Sequence, residues 1–163
     1  MVKLYLAYTA PINPPNASPV LTEPQIWAGL QHKIRFAQDF VPIIESCTVL
    51  SDENGVVVRD VKFKDGAGPI SRAKETVRSF WPSWVDFVQE DGSVIKNIVS
   101  DGPGGGVEDL QMTYAFEFNL PKIEEGSAEA SAELKRLKGM SKMAVEKSID
   151  TIRQMVIDGR IKE

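Results

Sequence analysis

Cysteine and histidine are almost missing from this chain: Cys47 and His32 stand alone among 163 residues. A single cysteine excludes an intrachain disulfide and fits a reducing compartment. One thiol and one imidazole do not make the usual zinc sets, so no metal or other cofactor is expected beyond an ion held by carboxylates alone. A long hydrophobic run is also lacking. The opening stretch MVKLYLAYTAPINPP has neither the apolar segment of a secretory signal nor the length of a membrane span, so a cytoplasmic location is expected. In that setting the glycosylation sequon at Asn16 carries no weight. Nor is there a block of basic residues: 19 Lys and Arg are scattered among 23 Asp and Glu, for a net charge of −4. That pattern argues against a nucleic-acid partner.

What is present is a core. Hydrophobic residues make up 42% of the chain, and the length suits one domain, read here as residues 1–163. Lys3–Tyr8 reads as a strand, and the Pro- and Asn-rich stretch APINPPNASPV ends its pairing, because proline cannot donate to a ladder. LTEPQIWAGLQHKIRF then reads as a helix, with Thr22 as N-cap, Pro24 in the first turn, and Trp27, Leu30 and Ile34 as an apolar stripe. From Ile43 to Asn119 the signals become strand-like and are broken by DENG, DGAGP, Pro82, DGS and a glycine loop, as in an antiparallel meander. The last strand, EDLQMTYAFEFN, alternates most cleanly, with Leu110, Met112, Tyr114, Phe116 and Phe118 on one face. From about Ala130 to Asp158 the period changes to that of a long amphipathic helix, which Gly159 terminates. Gly139 weakens its interior by roughly 1 kcal/mol relative to alanine.

The expected class is therefore α+β: a curved antiparallel sheet of about six to seven strands around a long C-terminal helix, with short helices after the first strand. This order resembles the helix-grip fold of the START-like, polyketide-cyclase (SRPBCC) superfamily. The stretches VVVRDVKFKDG, DGSVIKNIVSDGPGG, LQMTYAFEF, KMAVEKSIDTIRQMVIDGRI and QIWAGLQHKIRFAQDFVPIIESC together resemble its AtaL-like family, over Leu4 to Ile161. The resemblance implies a small cytosolic protein with a hydrophobic cavity, of a kind common in fungi and found in some secondary-metabolite clusters. It supplies no catalytic motif to carry over.

The candidate site residues follow from strand parity. Val57, Arg59, Val61 and Phe63 share a face, and three are apolar, so Arg59 is expected to point inward. A hairpin about DGAGP would set Arg59 near Val77 with Glu75 one pair away, and Glu75 is the expected partner of a charge too costly to bury alone. Arg59 would then either bind an oxyanion or form a structural pair. Asn97, on the face of Ile95 and Val99, would orient a carbonyl, or simply be a polar residue on a partly exposed face. Tyr114 is placed as a general acid or as a core tyrosine with a bonded hydroxyl. Arg59, Glu75 and Tyr114 form the candidate catalytic set. Asn97, Trp81, Phe87, Met112, Phe116 and Met143 form the candidate ligand-binding set. Trp81, Trp84, Phe80 and Phe87 cluster around Pro82 as cavity or mouth residues, and the methionines serve as adaptable filler. His32 is read as a surface residue and Cys47 as a buried, inert thiol.

Two further readings complete the picture. The stretch SDGPGGGVEDL lacks the lysine and hydroxyl of a phosphate loop and is followed by a strand, so it is read as a hairpin connection near the pocket mouth rather than a nucleotide site. The expected function is binding of a hydrophobic small molecule between sheet and helix. The alternatives are a cofactor-independent cyclase, isomerase, lyase or hydrolase of a polyketide- or peptide-derived metabolite, and an interaction module. Homo-oligomerisation is left open.

Overall fold

The computed structural model describes residues 1–66 and 71–162. Most of the expected DGAGP turn lies outside the described residues. In chain order the elements are β1 (Val2–Pro11), α1 (Glu23–Arg35), a 3-10 turn (Ala37–Asp39), β2 (Ile44–Glu53), β3 (Val56–Phe63), β4 (Arg72–Phe80), β5 (Trp84–Gln89), β6 (Val94–Ser100), a second 3-10 turn (Val107–Asp109), β7 (Gln111–Leu120) and α2 (Ala128–Ile157). The strands form a single sheet in the order β1-β7-β6-β5-β4-β3-β2, and every pairing is antiparallel. β2 to β7 are thus a meander, and β1 joins it along β7.

Local chemistry sets the ends of these elements. β2 turns into β3 through Asn54 and Gly55, at φ 54° and 75°, the positive-φ pair that a two-residue hairpin of matching twist requires. Thr22 caps α1: its hydroxyl accepts from Gln25 N at 3.3 Å, while Gln25 Oε1 accepts from Thr22 N at 3.0 Å. This reciprocal box, followed by Pro24, satisfies amides that helical bonding leaves free. α2 begins two residues before the expected Ala130, because Ser127 Oγ accepts from Ala130 N at 3.1 Å and fixes the cap there.

The core lies between one face of the sheet and the two helices. One row of side chains crosses six strands in register: Leu6, Phe116, Ile95, Phe87, Val77 and Val57. Five of the six are buried, and Ile95 is half-buried. Burying each such side chain contributes about 1.5–3 kcal/mol, enough to carry the polar residues that share the face. α2 covers the sheet chiefly along β1, burying Leu137, Val145, Ile149, Ile152 and Met155.

Two local expectations are corrected. Arg59 pairs directly with Glu75, and Val57 with Val77, rather than Arg59 with Val77. The reason is that the β3–β4 pairs are symmetric about position 67, the middle residue of DGAGP, and a hairpin centred there sets residue 59 opposite residue 75; Arg59 opposite Val77 would need a centre one residue later. Likewise Val107–Asp109 is a 3-10 turn, and β7 starts only at Gln111. In that loop the Asp109 carboxylate accepts from Gly104 N, so the chain's own anion occupies the glycine-rich backbone. The loop is also tied to the segment after β1, with Ile12 N donating to Leu110 O and Asn13 Nδ2 to Val107 O, each at 2.9 Å.

α1 meets α2 at Gly29. A Cβ there would overlap Ile152 Cγ1 and come within 2.7 Å of Ile152 Cδ1, and Ile152 is fully buried. Gly139 on α2, by contrast, has open space where a Cβ would go. Gly139→Ala should raise unfolding stability by about 0.5–1 kcal/mol through helix propensity. Gly29→Ala should lower it by about 1–2 kcal/mol, because overpacking outweighs the same gain. Urea unfolding of the two variants checks the opposite signs.

Candidate functional site

Two buried polar clusters sit on the sheet face that the helices cover. The first is a clamp. Arg59 of β3 donates from Nε at 3.0 Å and from Nη2 at 2.7 Å to Glu75 Oε1. Its Nη1 donates to the carbonyls of Lys33 at 3.1 Å and Ile34 at 2.8 Å. These carbonyls belong to the last turn of α1, where helical bonding leaves acceptors free and the dipole favours a cation. Gln89 Nε2 completes the clamp by donating to Glu75 Oε2 at 3.1 Å. Arg59 and Glu75 are 4% and 5% exposed, so the pair is fully desolvated, and losing one partner would cost about 3–5 kcal/mol.

The second cluster centres on a residue absent from the sequence expectations, Lys33. Its ammonium donates to Asn97 Oδ1 at 2.7 Å and to Tyr114 Oη at 3.1 Å. Tyr114 Oη donates to Ser148 Oγ at 2.6 Å, and Ser148 Oγ to Ala144 O at 2.8 Å. One bonded chain thus runs from α1 through β7 to α2, with a branch to Asn97 on β6. Asn97, Tyr114 and Ser148 are at most 1% exposed, and Lys33 is 8% exposed. Asn97 Nδ2 is buried without a hydrogen-bond partner, which is unusual for a native amide.

The electrostatics of the two clusters are linked through an aromatic ring. Lys33 Nζ lies 4.3 Å from the ring centre of Tyr114 and 5.3 Å from that of Phe87. Arg59 Cζ lies 4.8 Å from the same Phe87 ring. The carboxylate of Glu75 is spent on Arg59 and Gln89, so the ammonium rests on neutral acceptors and π faces. Burial, and then the charge of Arg59, push the Lys33 ammonium down from 10.5 to about 7, with Glu75 pulling the other way. Burial pushes the Tyr114 phenol up, against the lowering effect of its bond to Ser148.

The structure brings Arg59, Glu75, Asn97, Phe87 and Tyr114 to one face of the interior, with Met112 and Phe116 on the same strand face as Tyr114. It does not bring Met143 or Trp81 there. Met143 is 72% exposed: it lies two residues before the buried Val145, which turns it to the far side of α2. Trp81 is 59% exposed. It lies beyond the end of β4 with its ring edge-on to Trp27 of α1 at 5.4 Å, at the rim rather than inside. His32 is at the surface, bonded to Asp39 at 3.0 Å and stacked on Phe36. Cys47 is half-buried and donates weakly to Ile34 O at 3.7 Å. Among the described residues no group of three or more His, Cys, Asp or Glu gathers as a metal site, and no helix is long and apolar enough to cross a membrane.

Lys33 was findable from spacing. Ile26, Leu30 and Lys33 fall at i, i+4 and i+7, with Ala37 four residues further, so a lysine occupies the buried stripe of α1. Ser148 sits on the α2 stripe in the same way.

Residues 6–159 match the family model described as acetylaranotin biosynthesis cluster protein L. The protein of that name from Aspergillus terreus (strain NIH 2624 / FGSC A1156) is 24% identical over 160 residues, covering 97% of this chain and 93% of the relative. Among solved structures, the Zhui aromatase/cyclase from Streptomyces sp. R1128 superposes with a TM-score of 0.70 at 14% identity, over 95% of this chain and 96% of that one. One half of the di-domain aromatase/cyclase StfQ from the steffimycin pathway matches at 0.69 and 9% identity, covering 97% of this chain and 52% of that one. Ara h 8.0201 matches at 0.60 and 11% identity, over 96% of this chain and 99% of that one. At these identities the solved structures speak for the helix-grip fold alone.

The displaced lysine equilibrium has a measurable consequence for folding. Lys33 titrates at about 7 in the folded chain against 10.5 ordinarily, so between those values the unfolded chain binds more protons. Stability from this group therefore rises with pH across that window and is lost as pH falls toward 7. Between about pH 7 and pH 9.5 the wild type should gain about 2–3 kcal/mol relative to Lys33→Met. Parallel stability–pH curves for the two proteins in denaturant titrations would contradict the buried, unpaired ammonium.

Proposed function

The chain belongs to the family of acetylaranotin biosynthesis cluster protein L, and from that premise we propose that it binds a hydrophobic small molecule of secondary metabolism between the sheet face and the helices. The observation that carries this reading is the buried Asn97 amide, with its Nδ2 unpartnered beside Lys33 and Tyr114. A buried donor left open costs about 1–3 kcal/mol, and a ligand oxygen would repay it. The apolar row containing Phe87, Ile95 and Phe116 supplies the hydrophobic wall, and the Lys33–Asn97–Tyr114 knot supplies the polar end that orients the ligand. The ligand class that fits is a largely apolar ring system with a carbonyl or phenol oxygen at one end. Arg59 and Glu75 are positioning residues in this reading, because four of the bonds they make are to each other and to α1.

A second reading, cofactor-independent conversion of the bound metabolite by cyclase, isomerase, lyase or hydrolase chemistry, is favoured by Lys33. An amine that titrates near 7 can give or take a proton near neutral pH, and Tyr114 can hold the oxygen on which charge develops. The aromatase/cyclase names of the solved structures accord with this reading but concern those proteins.

Binding of a dihydroxyanthraquinone, followed by calorimetry, tests the first reading. Asn97→Ala and Tyr114→Phe should each weaken binding about five- to tenfold, the worth of one neutral hydrogen bond, and Met143→Ala should leave it unchanged. Equal affinities for all four proteins would overturn it. Product formation lost in Lys33→Met, with binding retained, would add the second reading to the first.

A further inference from the structure

Nothing so far requires that Lys33 act only through protons. We infer that Lys33 Nζ is a nucleophile that condenses with an aldehyde or ketone carbonyl of the bound molecule to form a protonated imine. This deepens the reading of the interior as a ligand site and rests on it.

Four features converge on that chemistry. The amine is not held by a carboxylate: its hydrogen bonds go to Asn97 Oδ1 and Tyr114 Oη, and Glu75 is committed to Arg59 and Gln89. Every element around it supplies a group of the required kind. Arg59 on β3 adds positive charge that favours the free amine, Phe87 on β5 and Tyr114 on β7 offer π faces to a cation, and Ser148 on α2 extends the bonded chain. The open Asn97 Nδ2–H is a donor for the incoming carbonyl oxygen. Finally, an amine titrating at about 7 is half neutral at neutral pH, as lysine nucleophiles must be.

The step balances without a co-reactant. The neutral amine attacks the carbonyl carbon, a C–N bond forms, and the carbonyl π pair moves to oxygen. That oxygen takes a proton by way of Tyr114, and nitrogen loses one to the same hydrogen-bonded chain. That leaves a neutral carbinolamine. Its hydroxyl then takes one further proton from solvent, equal to the proton the ammonium released on becoming the free amine. Loss of water breaks the C–O bond and leaves an iminium carrying the single positive charge that the ammonium carried before. The charge stays over the same two rings, so the electrostatics that held the lysine also hold the product.

The test uses salicylaldehyde with sodium cyanoborohydride at neutral pH, followed by intact mass and peptide mapping of the full chain. The expected result is one reduced adduct, on Lys33, formed at least about tenfold faster than on any exposed lysine because far more of this amine is neutral. Lys33→Arg, which forms no imine with the aldehyde, should lose that adduct while adducts on exposed lysines persist; binding of salicyl alcohol, which has no carbonyl, is measured on the wild type. Mapping on the wild type stands whether or not the variant folds. If salicyl alcohol binds and no adduct appears at Lys33, the imine is overturned and the binding reading survives. If salicyl alcohol does not bind and adducts are confined to exposed lysines, both fall.

Discussion

A guanidinium with nowhere to go but inward governs this molecule. Arg59 is carried onto the covered face by strand parity, and water does not reach it there. Its charge is met by Glu75 across the ladder and by the last-turn carbonyls of α1. The same side chain therefore closes the β3–β4 pair, ends the helix electrostatically and holds the helix against the sheet. The carbonyl of Lys33 is one of its acceptors, so the clamp also fixes the residue whose ammonium enters the second cluster. Desolvation makes each of these bonds individually modest and jointly indispensable, since any one group left open would be a buried charge or dipole without compensation.

The two clusters differ in kind. Around Arg59 nearly every donor and acceptor is matched, which is the signature of a frame. Around Lys33 a cation rests on an amide oxygen, a phenol and two ring faces, with an amide donor left over. That imbalance is local and costly, and the frame beside it supplies the rigidity that tolerates it. Most buried polar groups in native structures are hydrogen-bonded, so the open Asn97 donor sets the second cluster apart from the frame.

Much of this was legible in the chain itself. The parity of Met112, Tyr114 and Phe116 and the inward Arg59 with Glu75 as its partner follow from a period of two and from the cost of burying charge, and Thr22 as N-cap follows from its hydroxyl ahead of a helical stretch. The Arg59–Glu75 register differs by one pair because it depends on a single residue of hairpin centring: a centre at position 67, the middle of DGAGP, pairs Arg59 with Glu75, and a centre one residue later pairs it with Val77. Lys33 escaped notice for a different reason. Nothing local compensates it, and its partners lie on strands β6 and β7, so a stripe of Trp27, Leu30 and Ile34 looked complete without it. Spacing with Ile26, Leu30 and Ala37 puts Lys33 on the buried stripe; what the sequence withholds is its partners, Asn97 and Tyr114 on distant strands. Met143 erred the other way, since the softness of its side chain suggested filler while its angular position on α2 turns it to solvent.

The bare backbone of Gly29 against Ile152 has a consequence for how the interior can diversify. α1 has no slack toward α2, and Arg59 anchors its other end, so the helix cannot serve as an adjustable wall. Any change in the volume of the interior must therefore come from the pleated side, at positions such as Phe87, Ile95 and Phe116, while the helical side keeps its spacing. In this architecture the sheet is the variable mould and the helix pair the fixed lid.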